Sequence, residues 1–270
     1  MTSPIALIDV DPIKYAASFA CEHRDKENDT ITLEKFAHVT YNINTMIKRC
    51  IKRCEAREYR CFITPLHDKD NFRFKIFPEY KANRIGIRKP YYLEQAQEYL
   101  LNRWHAESAL KGNEADDSIA IAHTSYHPFG FNTDVLSGES PYTGNGNSII
   151  CSIDKDFNNV PGWHYNPGKD EFTFITEIEA LRNFYLQILT GDVSDNIPRV
   201  KKGWRQKKVE EQLQKALTEQ EMYDIIYQEV YDVLEREDIS KDYKVTEFIQ
   251  RNGQLVWLRT KENEMWKPKV

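Results

Sequence analysis

The sequence predicts an α/β fold with a mostly parallel central sheet flanked by helices. Three observations carry that reading. Residues 5–9, 59–66 and 148–154 are short apolar runs of the kind that forms strands buried on both faces. The stretches between them hold apolar residues at helical spacing. Each run also leads to an acid: Asp9, Asp68 after a two-residue overhang, and Asp154. In an open α/β sheet, ligands gather outside the carboxyl ends of the strands.

In chain order, the first strand gives way at Asp11-Pro12 to a helix reaching about Phe19, with Pro12 suited to its first turn. Residues 22–30 are charged and read as a loop. From about 33 to 55, positions such as Phe36, Val39, Ile43, Ile47 and Cys50 keep helical spacing, so this long helix turns its apolar stripe to the core. The second strand exits into His67-Asp68-Lys69-Asp70. Residues 71–90 interleave bases with aromatics, a pattern able to stack on bases and pair with phosphates along a strand of nucleic acid. A helix is expected over 91–102 and a strand over 104–110. Glu114, Asp116 and Asp117 then open a buried helix at Ile119, Ala120, Ile121 and Ala122, with Asn113 as its cap.

Residues 124–147, rich in glycine and proline, read as a long surface loop. After the third strand comes a helix over 177–189, ending at Thr190-Gly191-Asp192-Val193-Ser194-Asp195-Asn196-Ile197-Pro198. The segment 199–208 carries six bases in ten residues and enters another helix. Residues 221–237 are amphipathic. Asn252-Gly253 reads as a turn before a closing strand at 254–258.

Composition narrows the function. With 270 residues, 40% of them hydrophobic, the chain can bury one large core or two small ones. No run approaches the ~18 apolar residues of a membrane span, and Met1-Thr2-Ser3-Pro4 lacks the features of a signal peptide. The expectation is a soluble, cytoplasmic monomer. The five cysteines, Cys21, Cys50, Cys54, Cys61 and Cys151, are scattered and form no zinc pattern, so reduced structural thiols are expected. The net charge of -5 argues at first against a nucleic-acid partner. Setting aside Asp9, Asp68, Glu114, Asp116, Asp117, Asp154, Asp156, Asp192 and Asp195 leaves the rest of the chain net basic. An acidic pit on a mildly basic surface suits a phosphate backbone.

Those nine acids suggest their chemistry. Any one acid at a helix start could simply suit the helix dipole. Together, crowded carboxylates repel unless a cation binds among them. Oxygen ligands with no His or Cys partner select Mg²⁺ or Mn²⁺. Two such ions ~3.5–4 Å apart would clamp the attacking water and the leaving oxygen of a phosphodiester displacement.

The order Ile8-Asp9, Glu114-Ala115-Asp116-Asp117, Ser152-Ile153-Asp154-Lys155-Asp156 and Gly191-Asp192 to Asp195-Asn196-Ile197-Pro198 resembles the 5′-nuclease family. That family includes phage 5′→3′ exonucleases, flap endonucleases and the nuclease domain of bacterial DNA polymerase I. Tyr80-Lys81-Ala82-Asn83-Arg84 matches the family's basic arch motif, and the phage exonuclease branch fits best. The resemblance covers about residues 5–210.

The resemblance implies a PIN-like (Rossmann-like) catalytic domain over 1–178, with a helical arch at about 68–90. A helical C-terminal region over 179–270 would carry a helix–hairpin–helix-like element at 191–210. Asp9, Asp68, Glu114 and Asp116 would serve mainly the catalytic metal and Asp154, Asp156, Asp192 and Asp195 mainly a second, with Asp117 between. Lys81 and Arg84 would act with Asp9 and Asp116 in catalysis by contacting the scissile phosphate. Arg73, Lys81, Arg84, Arg88, Lys201, Lys202, Arg205, Lys207 and Lys208 would bind DNA. The implied activity is 5′→3′ exonuclease or flap endonuclease on duplex, nicked or flapped DNA, with RNA–DNA hybrid as a further substrate, in phage replication or recombination. Two departures stand out: Val10 and Ala16 replace a usual Gly and Arg, and Arg199-Val200-Lys201-Lys202-Gly203-Trp204 replaces a glycine-rich hairpin, restricting backbone approach. A haloacid-dehalogenase-like phosphatase, suggested by Asp9-Val10-Asp11, leaves Glu114–Asp117 and the strand-end Asp154 unexplained. A non-catalytic DNA-structure-binding protein would not need intact acids at every motif.

Overall fold

A computed structural model describes residues 3–66, 70–127, 148–200, 206–235 and 241–268, without the side chains of 234–235 and 241–243. The chain divides into two compact units. The first comprises 1–70, 87–155 and 162–174; the second comprises 71–86, 156–161 and 175–270. The chain passes from one unit to the other after residues 70, 86, 155, 161 and 174.

In the first unit, β1 (Ile5–Asp9) is followed by α1 (Asp11–Phe19), β2 (Glu22–Asp25), β3 (Thr30–Leu33), α2 (Phe36–Arg53) and β4 (Glu58–Ile63). Then come α4 (Leu93–Arg103), β5 (Glu107–Ser108), α5 (Ala115–Ser125), β6 (Ser148–Cys151), β7 (Gly162–Asn166) and β8 (Glu171–Ile175). The main sheet has the order β5-β4-β1-β6-β7-β8. β1 lies between β4 and β6, parallel to both, with Ile8 opposite Cys61 on one side and Cys151 on the other. All five residues of β1 are buried, so a strand covered on both faces reads as an unbroken apolar run. Its acid comes last, at the carboxyl edge.

The core joins this sheet to α1, α2 and α4 through Ile13, Ala17, Val39, Ile43, Ile47, Ala96 and Leu100. All five cysteines are free and buried. Cys54 and Cys151 bring their sulfurs within 3.4 Å and behave as small hydrophobes.

The second unit holds α3 (Phe72–Ile76), α6 (Glu177–Thr190), α7 (Gln206–Lys215), α8 (Glu219–Glu235) and α9 (Lys241–Val256). Its core gathers Phe184, Tyr185, Ile188, Met222, Ile226, Ile249 and Trp266, with Tyr80 from the early segment. No helix among the described residues is long and apolar enough to cross a membrane.

Three expectations need correction. The charged stretch 22–30, read as a loop, holds β2 and the turn into β3, and the two strands pair antiparallel with Glu22 opposite Leu33. The strands are mostly exposed; β2 is wholly polar and only the four residues Thr30-Ile31-Thr32-Leu33 alternate, so the pair leaves little hydrophobic signature. The strand expected over 104–110 shrinks to two residues, β5. The closing strand at 254–258 is absent, because α9 runs through Asn252-Gly253 to Val256.

The reason is packing. Asn252 is buried and donates its side-chain amide to the Ile188 carbonyl at 2.9 Å and the Pro198 carbonyl at 2.7 Å. A Cβ on Gly253 would stand 2.2 Å from the Trp266 ring. Alanine would gain about 1 kcal/mol of helix propensity, whereas overpacking costs about 1–3 kcal/mol. Gly253→Ala should therefore lower the urea midpoint; an unchanged or raised midpoint would show that Trp266 moves aside at little cost.

Candidate active site

Each unit carries its own group of acids. In the first, parallel pairing carries β1 and β6 to one edge of the sheet. Asp9 is 7% exposed there. Its Oδ1 accepts the Asp11 amide at 3.1 Å and its Oδ2 accepts the Ser152 hydroxyl at 2.9 Å. The same hydroxyl accepts the Asp154 amide at 3.0 Å, so one serine joins the Asp9 carboxyl to the start of the Asp154 turn. Burial pushes the Asp9 carboxyl up to about 8; the charges of Asp11 and Asp154 add to the rise, and its two hydrogen bonds oppose it.

The N-terminus of α5 supplies the next acids. Glu114, not Asn113, is the cap, and it forms a capping box with Asp117. Asp117 is fully buried and accepts the Glu114 amide at 3.1 Å. Asp116 accepts the Asp117 amide at 2.8 Å. Local helix chemistry thus occupies part of Glu114 and Asp117, leaving the cluster mixed in purpose. Asp68 lies outside the described residues. Asp70, its neighbour, is paired with Lys111 at 3.3 Å near the surface.

In the second unit, Asp192 and Asp195 sit in a tight turn after α6. Asp192 and Ile197 exchange backbone hydrogen bonds of 3.1 and 2.7 Å. Gly191 is required at the entry, with φ +58° and the Ile197 carbonyl 2.4 Å from where a Cβ would lie. Asp192 is 2% exposed; its Oδ1 accepts the Ser194 amide at 2.6 Å and the Ser194 hydroxyl. Asp156, on another segment of the unit, accepts the Gln187 amide at 2.7 Å.

Asp195 is the anchor of residues 79–84. It accepts the Tyr80 hydroxyl at 2.8 Å, lies 3.5 Å from the Lys81 ammonium and is paired with Arg84. The Lys81 amide donates to the Asp195 carbonyl at 2.8 Å. Asn83 reaches the Val193 carbonyl at 2.7 Å, and Asn196 returns a bond to the Glu79 carbonyl at 2.7 Å. Lys81, at φ +56°, starts a 3-10 turn over Ala82–Arg84. The described part of the expected arch is therefore α3 and this turn, and not one continuous helix.

Among the other expected DNA contacts, Arg73 must be withdrawn. It is 2% exposed and donates to the carbonyls of Leu255 and Trp257, each at 2.9 Å. Its charge ties α3 to the end of α9. Arg88 pairs with Glu22 at 2.5 Å and stacks on Phe19 in the first unit. Lys207 and Lys208 are exposed on α7. Lys201, Lys202 and Arg205 lie outside the described residues. Sequence reasoning gave no role to Ser152, Thr64 or Tyr80, whose hydroxyls bond these groups, although Ser152 and Tyr80 stand inside the quoted motifs.

Among the described residues, no group of three or more His, Cys, Asp or Glu side chains stands arranged to hold a metal ion. The donors nevertheless fit a hard cation. All are oxygens, and the buried Asp9 carboxyl, costly to ionise beside Asp11 and Asp154, is the kind of group that a divalent charge returns to carboxylate.

A mostly parallel sheet of this order, with acids at its carboxyl edge and helices around it, is a PIN-like α/β fold. It is the fold of the flap endonucleases. The D15 protein of bacteriophage T5, crystallised with metal ions, superposes with TM-score 0.62 at 19% identity, over 95% of this chain and 90% of that one. The T5 D15 flap endonuclease in a pseudo-enzyme–product complex with DNA and metal ions gives 0.57 at 18% identity over the same shares. The catalytic core of Rad2 with DNA substrate gives 0.45 at 15%, over 100% of this chain and 83% of that one. No family model and no curated protein sequence matches the chain.

The Tyr80 hydroxyl is a buried donor to a carboxylate, so Tyr80→Phe should cost about 1.5–3 kcal/mol by urea unfolding. A loss below about 0.5 kcal/mol, the lower end for an ordinary hydrogen bond, would show that Lys81 and Arg84 satisfy Asp195 without it.

Proposed function

We propose that this protein is a divalent-metal-dependent 5′-nuclease that hydrolyses phosphodiesters near the 5′ end of duplex, nicked or flapped DNA. The observation that carries the reading is the pairing of Asp9 and Asp154 at the carboxyl ends of neighbouring parallel strands, joined by Ser152, on a flap-endonuclease fold. The T5 relatives were crystallised with metal ions, one of them also with DNA, and that supports both partners here.

In the first unit, Asp9, Glu114, Asp116 and Asp154 are the proposed oxygen ligands, with Asp68 and Asp117 as the further candidates from the sequence. In the second unit, they are Asp156, Asp192 and Asp195. A bound pair of Mg²⁺ or Mn²⁺ ions would lower the pKa of the attacking water and neutralise the leaving oxygen. The chain's own contribution is to hold these acids ready. Ser152 orients Asp9, the capping box fixes Glu114 relative to Asp117, and the Gly191 turn fixes Asp192. Lys81 and Arg84, held beside Asp195, are the cations proposed to meet the scissile phosphate. Lys201, Lys202, Arg205, Lys207 and Lys208 are proposed to grip the duplex backbone. A role in phage DNA replication or recombination, with RNA-containing strands among the substrates, belongs to the same reading.

The test is the product pattern from 5′-labelled duplex, flap and RNA–DNA hybrid with Mg²⁺, Mn²⁺ or chelator. Cleavage should require metal, and metal-independent cleavage would remove the assignment. Asp9→Asn and Asp154→Asn should each lower kcat by at least about 100-fold, roughly 3 kcal/mol of transition-state stabilisation, while retaining the native circular dichroism spectrum. An active Asp9→Asn protein would sink the central role given to that carboxylate.

Lys81→Ala should lower kcat more than it raises KM if Lys81 acts on the developing charge. Equal effects on both constants would reduce it to a general phosphate contact.

A further inference from the structure

Behind the acidic edge of the first unit lies a buried ammonium with no part in the proposed chemistry so far. Lys14, on α1, is 2% exposed. Its Nζ donates to Asp11 Oδ1 at 2.6 Å, to Gln97 Oε1 at 2.8 Å and to the Thr64 carbonyl at 3.4 Å. These three acceptors match the three N–H bonds of an ammonium. They come from the first residue of α1, from α4 and from the exit of β4.

The acceptors are themselves joined. The Asp11 carboxylate accepts the Thr64 amide, at 3.1 Å through Oδ2 and 3.3 Å through Oδ1. Gln97, 6% exposed, also donates its amide to the Thr64 carbonyl at 3.2 Å. Thr64 then turns outward: its Oγ1 accepts the amide of Ala115, the first residue of α5, at 3.0 Å. At the other end, the Asp11 amide donates to Asp9 Oδ1 at 3.1 Å. One cation thus stands at the root of a hydrogen-bond chain. It reaches the carboxyl of Asp9 in one direction and the start of the helix bearing Asp116, with Glu114 as its cap, in the other.

Burying an ammonium costs several kcal/mol, and an apolar side chain of similar volume would fill this space more cheaply. Methionine in place of Lys14 would pack, but it could not bond Asp11, Gln97 and Thr64 at once. Asp11 would then be a carboxylate facing Asp9 without its cation.

We propose that Lys14 is a positioning residue for this site: with Asp11 and Thr64 it holds the tip of β1 and the first turn of α5 in the geometry that binds the divalent cation. This inference rests on the nuclease reading. It also removes Asp11 from the chemistry, because its carboxylate is engaged by Lys14 and by the Thr64 amide, which leaves the phosphatase-like motif Asp9-Val10-Asp11 without a free second acid.

The test uses the full chain and Mn²⁺ as the probe. Mn²⁺ affinity is measured by calorimetry without DNA, and cleavage of a 5′-flap substrate is resolved into kcat and KM. Outer partners of metal ligands typically contribute about 10–100-fold to affinity or activity. Lys14→Met should therefore weaken Mn²⁺ binding by about tenfold or more and lower kcat, with KM for DNA little changed.

Thr64→Val keeps the volume and the buried charge but removes the Oγ1 acceptor, and it should weaken Mn²⁺ binding in the same direction. If Lys14→Met does not fold, Thr64→Val decides. The double variant Lys14→Met/Asp11→Asn, which removes the unpaired charge, should recover stability in urea but not Mn²⁺ affinity. Unchanged Mn²⁺ affinity and kcat in folded Lys14→Met, or in Thr64→Val, would overturn the inference while leaving the nuclease reading intact. A wild-type protein with no metal-dependent cleavage would instead overturn the reading on which it rests.

Discussion

The structure depends on burying a carboxyl group at the end of its most enclosed strand. β1 has a parallel neighbour on each side, so its residues must be apolar until the chain leaves the sheet. The residue at that exit is Asp9. Burial alone makes its ionised form unfavourable, and Asp11 and Asp154 make it more so. Hydrogen bonds from Ser152 and the Asp11 amide offset only part of this. A protein seeking stability alone would place serine or asparagine there. The neighbouring Lys14, Thr64 and Gln97 hold Asp11 beside it in a hydrogen-bonded network that fixes the geometry around this acid.

How much of this the sequence reveals follows from what each interaction leaves behind in one dimension. Strands buried on both faces leave an apolar run, so β1, β4 and β6 are visible, and so are the acids beyond them. α1 and α2 leave a stripe and α6 a capping Thr176, so their limits fall within a few residues of expectation. β2 and β3 are held by backbone pairing between mostly exposed residues, which only the short alternation Thr30-Ile31-Thr32-Leu33 records. β7 and β8, five residues each, are absent from the elements expected between the third strand and the helix over 177–189, although Glu171-Phe172-Thr173-Phe174-Ile175 alternates. Gly253 carries the opposite lesson. Glycine marks a turn when the backbone needs a positive φ, but here it marks the face of a helix against which an indole lies.

Charged residues are harder to read, because their partners are distant in the chain. The basic–aromatic stretch 71–90 suggested a surface for nucleic acid, and its composition is the same whether a guanidinium faces a phosphate or a carbonyl. Arg73 faces the carbonyls of Leu255 and Trp257, more than 180 residues away. Lys14 could have been suspected from its position three residues after Asp11 on the buried face of α1, beside Ile13 and Ala17. That spacing also describes an ordinary surface pair, and only burial separates the two cases.

The same distinction governs Lys81 and Arg84. Both lie against Asp195, a carboxylate 9% exposed that also receives the Tyr80 hydroxyl. Arg84 is half exposed, so its pairing with Asp195 is worth about 1 kcal/mol or less; a phosphate, able to accept a bidentate charge-assisted bond, can compete for it. The obstacle lies with the partner left behind. A nearly buried Asp195 deprived of its cations is an uncompensated charge, and that is the expensive half of breaking such a pair. If the phosphate belongs to DNA, the exchange becomes favourable when a divalent cation takes over the carboxylate as the lysine and arginine leave it. On the proposed nuclease reading, metal and substrate would then each lower the cost of binding the other through Asp195. Linkage requires that coupling to be equal in both directions.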